Sequence, residues 1–183
     1  MRVITGTARG RRLVTREGEA VRPTTEKVKE AMFSMIQFRI EGRRALDLFA
    51  GSGQLGIEAL SRGAREVVFV DSSADSAAVV RQNLETTRLA PAAKVFRTDF
   101  AAFLQRGGEP FDLAFLDPPY RTGLLQRALP MTACRMNPGG TILCEHPADE
   151  AVPEQAGDFL RTRTSRYGMI ALTLYQHKDV TEL

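Results

Sequence analysis

From residue 45 onward, short apolar runs alternate with stretches whose apolar residues recur at helical spacing. Residues 45–49, 67–70, 94–96, 113–116 and 141–144 read as strands, and residues 55–62, 74–87 and 123–133 as helices. Strand and helix in turn mark βαβ units. The expected fold class is therefore α/β, a Rossmann-like, doubly wound, mainly parallel sheet of about seven strands. Residues 159–164 and 169–175, joined by a turn at Tyr167-Gly168, read as an antiparallel edge. Ahead of this core, residues 24–38 place Val28, Ala31, Met32, Met35 and Ile36 on one helical stripe that follows Pro23. Residues 2–14 alternate weakly and read as a short basic hairpin or arm, with Arg9, Arg11 and Arg12 near its tip.

A chain of 183 residues fits one domain. Residues 1–44 are expected to form a basic hairpin and helix, and residues 45–183 a cofactor-binding and catalytic core. No apolar run approaches the roughly 20 residues that span a bilayer, and the first residues lack the apolar centre of a secretory signal. The two cysteines, Cys134 and Cys144, fit a reducing compartment, so a cytoplasmic protein away from membranes is expected. The net charge of +3 hides an asymmetry: residues 1–44 carry 11 lysines and arginines against 5 acids, and the remainder 14 against 17. A cationic end of this kind faces a polyanion or is a solvated surface, and charge alone does not choose.

Asp47-Leu48-Phe49-Ala50-Gly51-Ser52-Gly53 ends a strand in a loop that opens a helix, where glycines let a nucleoside lie against the backbone. Gly51 to Gly56 also satisfies the dinucleotide fingerprint, with Asp71 in the position of the ribose carboxylate, so a nicotinamide-dependent oxidoreductase stays open. Asp47 weighs against it, because a carboxylate beside the loop repels a pyrophosphate. It attracts the ammonium and sulfonium of S-adenosylmethionine, the expected cofactor, whose product is S-adenosylhomocysteine. Phe49 belongs to the same candidate cofactor site. Asp99 follows the third strand and would accept the adenine amino group with Phe100 against the ring, or else cap a helix at 100–105.

The apolar strand Phe111-Asp112-Leu113-Ala114-Phe115-Leu116 runs into Asp117-Pro118-Pro119-Tyr120. An exocyclic amine is a weak nucleophile because its lone pair is delocalised into the ring. A carboxylate on Asp117 and the Pro118 carbonyl would each accept one N–H and draw that pair back onto nitrogen, facing a methyl donor. Pro119 stiffens the turn, and Tyr120 offers a stacking face for an unpaired base. This chemistry serves guanine N2, adenine N6 or cytosine N4 alike. Cys134 and Cys144 read as packing, His146 and His177 are too few for a metal centre, and no metal is expected. Glu145 follows the fifth strand and either lines the crevice or, the preferred reading, is a solvated strand-end carboxylate.

Taken in order, Met1-Arg2-Val3-Ile4, Gly10-Arg11-Arg12-Leu13, the segment from Arg22-Pro23-Thr24-Thr25 to Phe33, the glycine loop and Asp117-Pro118-Pro119-Tyr120 resemble the RsmD-like family of bacterial 16S rRNA guanine-N2 methyltransferases over nearly the whole chain. The resemblance implies the class I methyltransferase fold and methylation of guanine 966 in 16S rRNA or a small-subunit assembly particle, with no obligate protein partner. It also implies that Arg22 and Thr24 lie near the cofactor or the target base. A basic RNA-binding module without catalysis is the remaining alternative.

Overall fold

The computed structural model describes residues 1–15 and 23–179. Its core is one sheet of eight strands in the order β3-β2-β1-β4-β5-β8-β7-β6. The strands are β1 (Arg44–Leu48), β2 (Glu66–Asp71), β3 (Ala93–Arg97), β4 (Phe111–Leu116), β5 (Met136–Pro147), β6 (Gln155–Ala156), β7 (Phe159–Tyr167) and β8 (Ile170–His177). The helices are α1 (Pro23–Met35), α2 (Gln54–Ser61), α3 (Ala74–Thr87), α4 (Phe100–Gln105) and α5 (Leu124–Ala133). Strands β1 to β5 are parallel, and β8 turns the edge antiparallel, from Thr141↔Gln176 to Pro147↔Ile170.

Alternation along each strand divides the apolar side chains between two layers. Ala45, Val67, Phe69, Phe115 and Leu143 meet Met32, Phe33, Ile57 and Val80 from α1, α2 and α3. Leu46, Leu48, Val68, Val70, Ala114 and Ile142 meet Phe103, Leu125 and Leu129 from α4 and α5. Covered on both faces, β1 is buried at every position, which explains its nearly continuous apolar run.

Details depart from the expected pattern. The eighth strand is β6, two residues long and too short to leave a periodic signal. Strand β5 starts at Met136, because Phe111 pairs with Met136 ahead of a register shift that precedes Leu113↔Thr141. Helix α1 stops at Met35: the Arg39 N–H donates to the Ile36 carbonyl at 2.8 Å, and Phe38 is left 93% exposed. Among the described residues no helix is long and apolar enough to cross a membrane.

The order reverses between β2-β1 and β4-β5, so the loops after β1 and β4 leave in opposite directions and open a crevice at the carboxyl ends of the strands, where ligands bind in open α/β sheets.

Candidate active site

A crevice of about 910 Å³ lies over that switch point. It is lined by the sequence-predicted residues Asp47, Phe49, Gly51, Asp71, Asp99 and Phe100, and by Asp117, Pro118, Pro119 and Tyr120 from the loop after β4. Gly53 lies just below as the N-cap of α2. Its φ of +78° is a conformation that a side chain would strain, and a Cβ there would come within 3.1 Å of Val80. Phe49 also holds a positive φ, +73°, although it is not glycine. Backbone bonds of 3.0 Å from Phe49 and Ala50 to the Val70 carbonyl, and the Phe100 ring 5.3 Å away, hold it there.

Asp71 ties two loops together, accepting the Gly51 N–H on Oδ2 at 2.9 Å and the Ser73 N–H on Oδ1 at 2.8 Å. Each oxygen keeps a lone pair for a further donor. Asp99 accepts the Ala101 and Ala102 N–H groups on Oδ1 at 2.9 and 3.2 Å, capping α4, and also lines the crevice. The two sequence readings of Asp99 are therefore compatible.

Asp47 is 2% exposed, and its Oδ2 accepts the Gly56 N–H at 2.9 Å. Burial pushes its carboxyl up to about 7; the Gly56 bond pulls it down and the neighbouring Asp71 charge pushes it up. Gln54 Oε1, which lines the same crevice, is buried without a hydrogen-bond partner among the described residues. A buried carboxylate without a positive partner among the described residues and an orphaned amide oxygen together fit a ligand with cationic N–H donors. These acceptors fit the aminoacyl end of S-adenosylmethionine and repel a pyrophosphate.

Register explains the catalytic edge. Leu116 pairs with Leu48 on one side and with Cys144 on the other, so Asp117 emerges between the glycine loop and the end of β5. Asp117 is half-buried and Pro118 buried. The Pro119 carbonyl accepts the Thr122 hydroxyl at 2.7 Å, fixing the turn. Tyr120 is 43% exposed, and its hydroxyl donates to Glu145 Oε1 at 2.5 Å.

Glu145 corrects the sequence reading. It is not a solvated carboxylate but a half-buried part of the crevice wall, which burial pushes above the usual carboxylate range while the Tyr120 hydroxyl pulls it back. Its place after the fifth strand allowed the crevice reading, but the bond to Tyr120 leaves no sequence signal, because Tyr120 and Glu145 lie 25 residues apart and only the pairing of β4 with β5 joins them. Gln54 was missed for a similar reason, as one variable position of a glycine fingerprint.

The amino-terminal segment is docked rather than projecting. A single antiparallel bridge, Arg2↔Arg12, closes it. Glu58 of α2 accepts the Ile4 and Thr5 N–H groups at 2.8 and 3.0 Å. Gly6 lies so close to α2 that a Cβ would fall 1.7 Å from the Ser61 carbonyl oxygen. Arg9, Arg11 and Arg12 remain exposed outside the crevice, yet Met1 lines it. Asn83 ties Val14 to the glycine loop through 2.8–2.9 Å bonds to Val14 and Ser52. Arg22 lies outside the described residues, and of Thr24 only its place in α1 is described. Cys144 is buried, with its thiol pushed up by burial, and Cys134 is exposed. His146 is buried with Nε2 2.8 Å from Thr173 Oγ1. Among the described residues no group of three or more His, Cys, Asp or Glu is placed to hold a metal.

Comparison with known proteins places this geometry in context. The family description "Conserved hypothetical protein 95" matches residues 1–176. YlbH of Bacillus subtilis, a candidate rRNA methyltransferase, is 40% identical over 183 residues, covering 97% of this chain and all of its own. Ribosomal RNA small subunit methyltransferase D of Escherichia coli K12 is 32% identical over 180 residues, covering 97% of this chain and 90% of its own. The solved structure of yhhF from Escherichia coli, a candidate methyltransferase, superposes with a TM-score of 0.87 at 32% identity over 97% of both chains.

Proposed function

The chain belongs to the RsmD-like family of rRNA methyltransferases, and from that premise we propose that it transfers a methyl group from S-adenosylmethionine to the exocyclic N2 of a guanine in 16S rRNA, guanine 966 by family resemblance. The observation that carries the reading is the meeting of Asp117-Pro118 with the cation-seeking pair Asp47 and Gln54 in one crevice. The cofactor supplies an electrophilic methyl group on a sulfonium.

The chain's own residues do the rest. Asp47 and Gln54 accept from the cofactor's ammonium, Asp71 from its ribose hydroxyls, and Asp99 from its adenine amine, with Phe49 and Phe100 against the ring. Asp117 and the Pro118 carbonyl take the two hydrogens of the target amine, which localises the lone pair on nitrogen. As the N–C bond forms and the C–S bond breaks, the nitrogen sheds one proton, and Asp117 is the acceptor placed to receive it. Tyr120 stacks on the base, a contact worth roughly 1–3 kcal/mol. Arg9, Arg11 and Arg12 hold the RNA backbone beside the crevice mouth that Met1 borders. The reaction runs in the bacterial cytoplasm on rRNA or an assembling small subunit, with no obligate protein partner.

Nucleoside analysis of 16S rRNA from a deletion strain is expected to show loss of one N2-methylguanosine, restored by the wild-type gene. An unchanged N2-methylguanosine content with loss of a methylated adenine or cytosine would move the assignment to that base. Asp117→Ala is expected to bind S-adenosylhomocysteine with near wild-type affinity and to lose turnover by about 10²–10³ or more. Retained turnover would remove Asp117 from the mechanism.

A further inference from the structure

We propose that Glu145 selects guanine, its carboxylate accepting the N1–H of the target base while Asp117 and the Pro118 carbonyl take the hydrogens on N2. The inference rests on the reading that this crevice methylates an exocyclic amine of an RNA base. Strands β4 and β5 are parallel with Leu116 level with Cys144, so Asp117, the first residue past the end of β4, comes level with Glu145, which lies inside β5 just past the last rung of their ladder. Leu116 and Cys144 face the layer of α4 and α5, whereas Phe115 and Leu143 face the layer of α1, α2 and α3. That alternation turns Glu145 toward the side of Phe115 and Leu143, and Asp117, leaving the end of β4, lines the same crevice.

Two adjacent acceptors match one base edge. Guanine presents N1–H and the N2 amine as contiguous donors. Adenine and cytosine place a ring lone pair beside their amine, and a carboxylate facing that lone pair repels it. The Tyr120 hydroxyl donates to Glu145 Oε1. That bond uses one of about four acceptor sites on the carboxylate and fixes its plane, leaving capacity for a base donor. The same bond fixes the tyrosine ring, so the stacking face and the edge-reading group are oriented together. Sites that hydrogen-bond a substrate group discriminate strongly against analogues that lack it, because a buried acceptor is then left facing no donor.

The test compares two short RNAs carrying either guanine or 2-aminopurine at the methylated position. 2-Aminopurine keeps the 2-amino group but has a lone pair at N1. Wild-type enzyme is expected to prefer guanine in kcat/KM by about 10² or more. Glu145→Gln can turn an amide N–H toward that lone pair. It is expected to lose about tenfold or more on guanine and to gain on 2-aminopurine, lowering the preference by about 10². S-adenosylhomocysteine affinity, measured by calorimetry, is expected to stay unchanged and to show that the fold is intact. Equal losses on both RNAs, or an unchanged ratio, would reduce Glu145 to a support for Tyr120 and overturn the proposal while leaving the methyltransferase reading in place. Wild-type enzyme that methylates neither RNA but methylates an adenine or cytosine would overturn both readings.

Discussion

Two buried carboxylates in one half of the molecule do opposite things. Glu58, at 0% exposure, accepts from the Ile4 and Thr5 backbone, pairs with Arg62 Nε at 2.9 Å and lies 3.5 Å from the Lys29 ammonium. Lys29, itself 2% exposed, also donates to the Arg2 carbonyl at 2.8 Å. Every charge in that cluster has an opposite charge or a dipole facing it, and the cluster joins the amino-terminal segment, α1 and α2. Asp47, equally buried, has one backbone donor and a second carboxylate nearby. The first arrangement is complete within the folded chain. The second has no positive partner among the described residues, and a buried charge left in that condition costs stability that a bound cation can return. Burial alone does not separate a structural carboxylate from a site carboxylate; the number of donors around it does.

The largest expected effect breaks the complete cluster. Glu58→Ala leaves Lys29 buried without its counter-charge and two backbone N–H groups without their acceptor. It should destabilise the protein by about 3–5 kcal/mol in urea unfolding. A loss below about 1 kcal/mol would mean that water or Arg62 rearrangement satisfies the cluster and that the contrast with Asp47 is false.

Asp47 should show the contrast through pH. Its folded carboxyl is pushed above the unfolded value of 3.8 to about 7. The folded state therefore holds the proton more tightly, and the ligand-free protein loses stability as pH rises from about 4 through about 7. The loss is roughly 3–5 kcal/mol. Asp47→Asn, which keeps an acceptor for the Gly56 N–H, should flatten that slope and weaken cofactor binding. A stability profile identical to wild type between pH 4.5 and 8 would show that Asp47 is not short of partners. The smallest effect on the fold belongs to the exposed charges. Replacing Arg9, Arg11 and Arg12 together with alanine should leave Tm unchanged and lower the slope of log K for RNA against log salt by about 2. An unaltered slope would place the RNA elsewhere.

The glycine loop and the Asp117 tetrapeptide were legible because each is contiguous. A turn chemistry and a crevice-lining carboxylate lie within a few residues of a strand whose apolar run marks its end. Phe49 and Asp99 were placed in the crevice on the same grounds, although the positive φ of Phe49 and the capping bonds of Asp99 emerge only from the fold. The amino-terminal segment was legible as basic but not as docked. Glu58 is one glutamate inside a short helix, and nothing local distinguishes it from a solvated one. The eighth strand and the early start of β5 escaped for a related reason, since both depend on a partner strand for their hydrogen bonds.

By itself, then, the sequence determined the βαβ alternation, the two strand-end motifs and the family, because periodicity and turn chemistry act over a few neighbouring residues. Only the tertiary structure decided which buried carboxylates meet several donors and which meet one, and that Tyr120 and Glu145 share one hydrogen bond. Desolvation and partner count depend on side chains brought together from distant elements, so these properties belong to the folded neighbourhood and not to any residue's place in the chain.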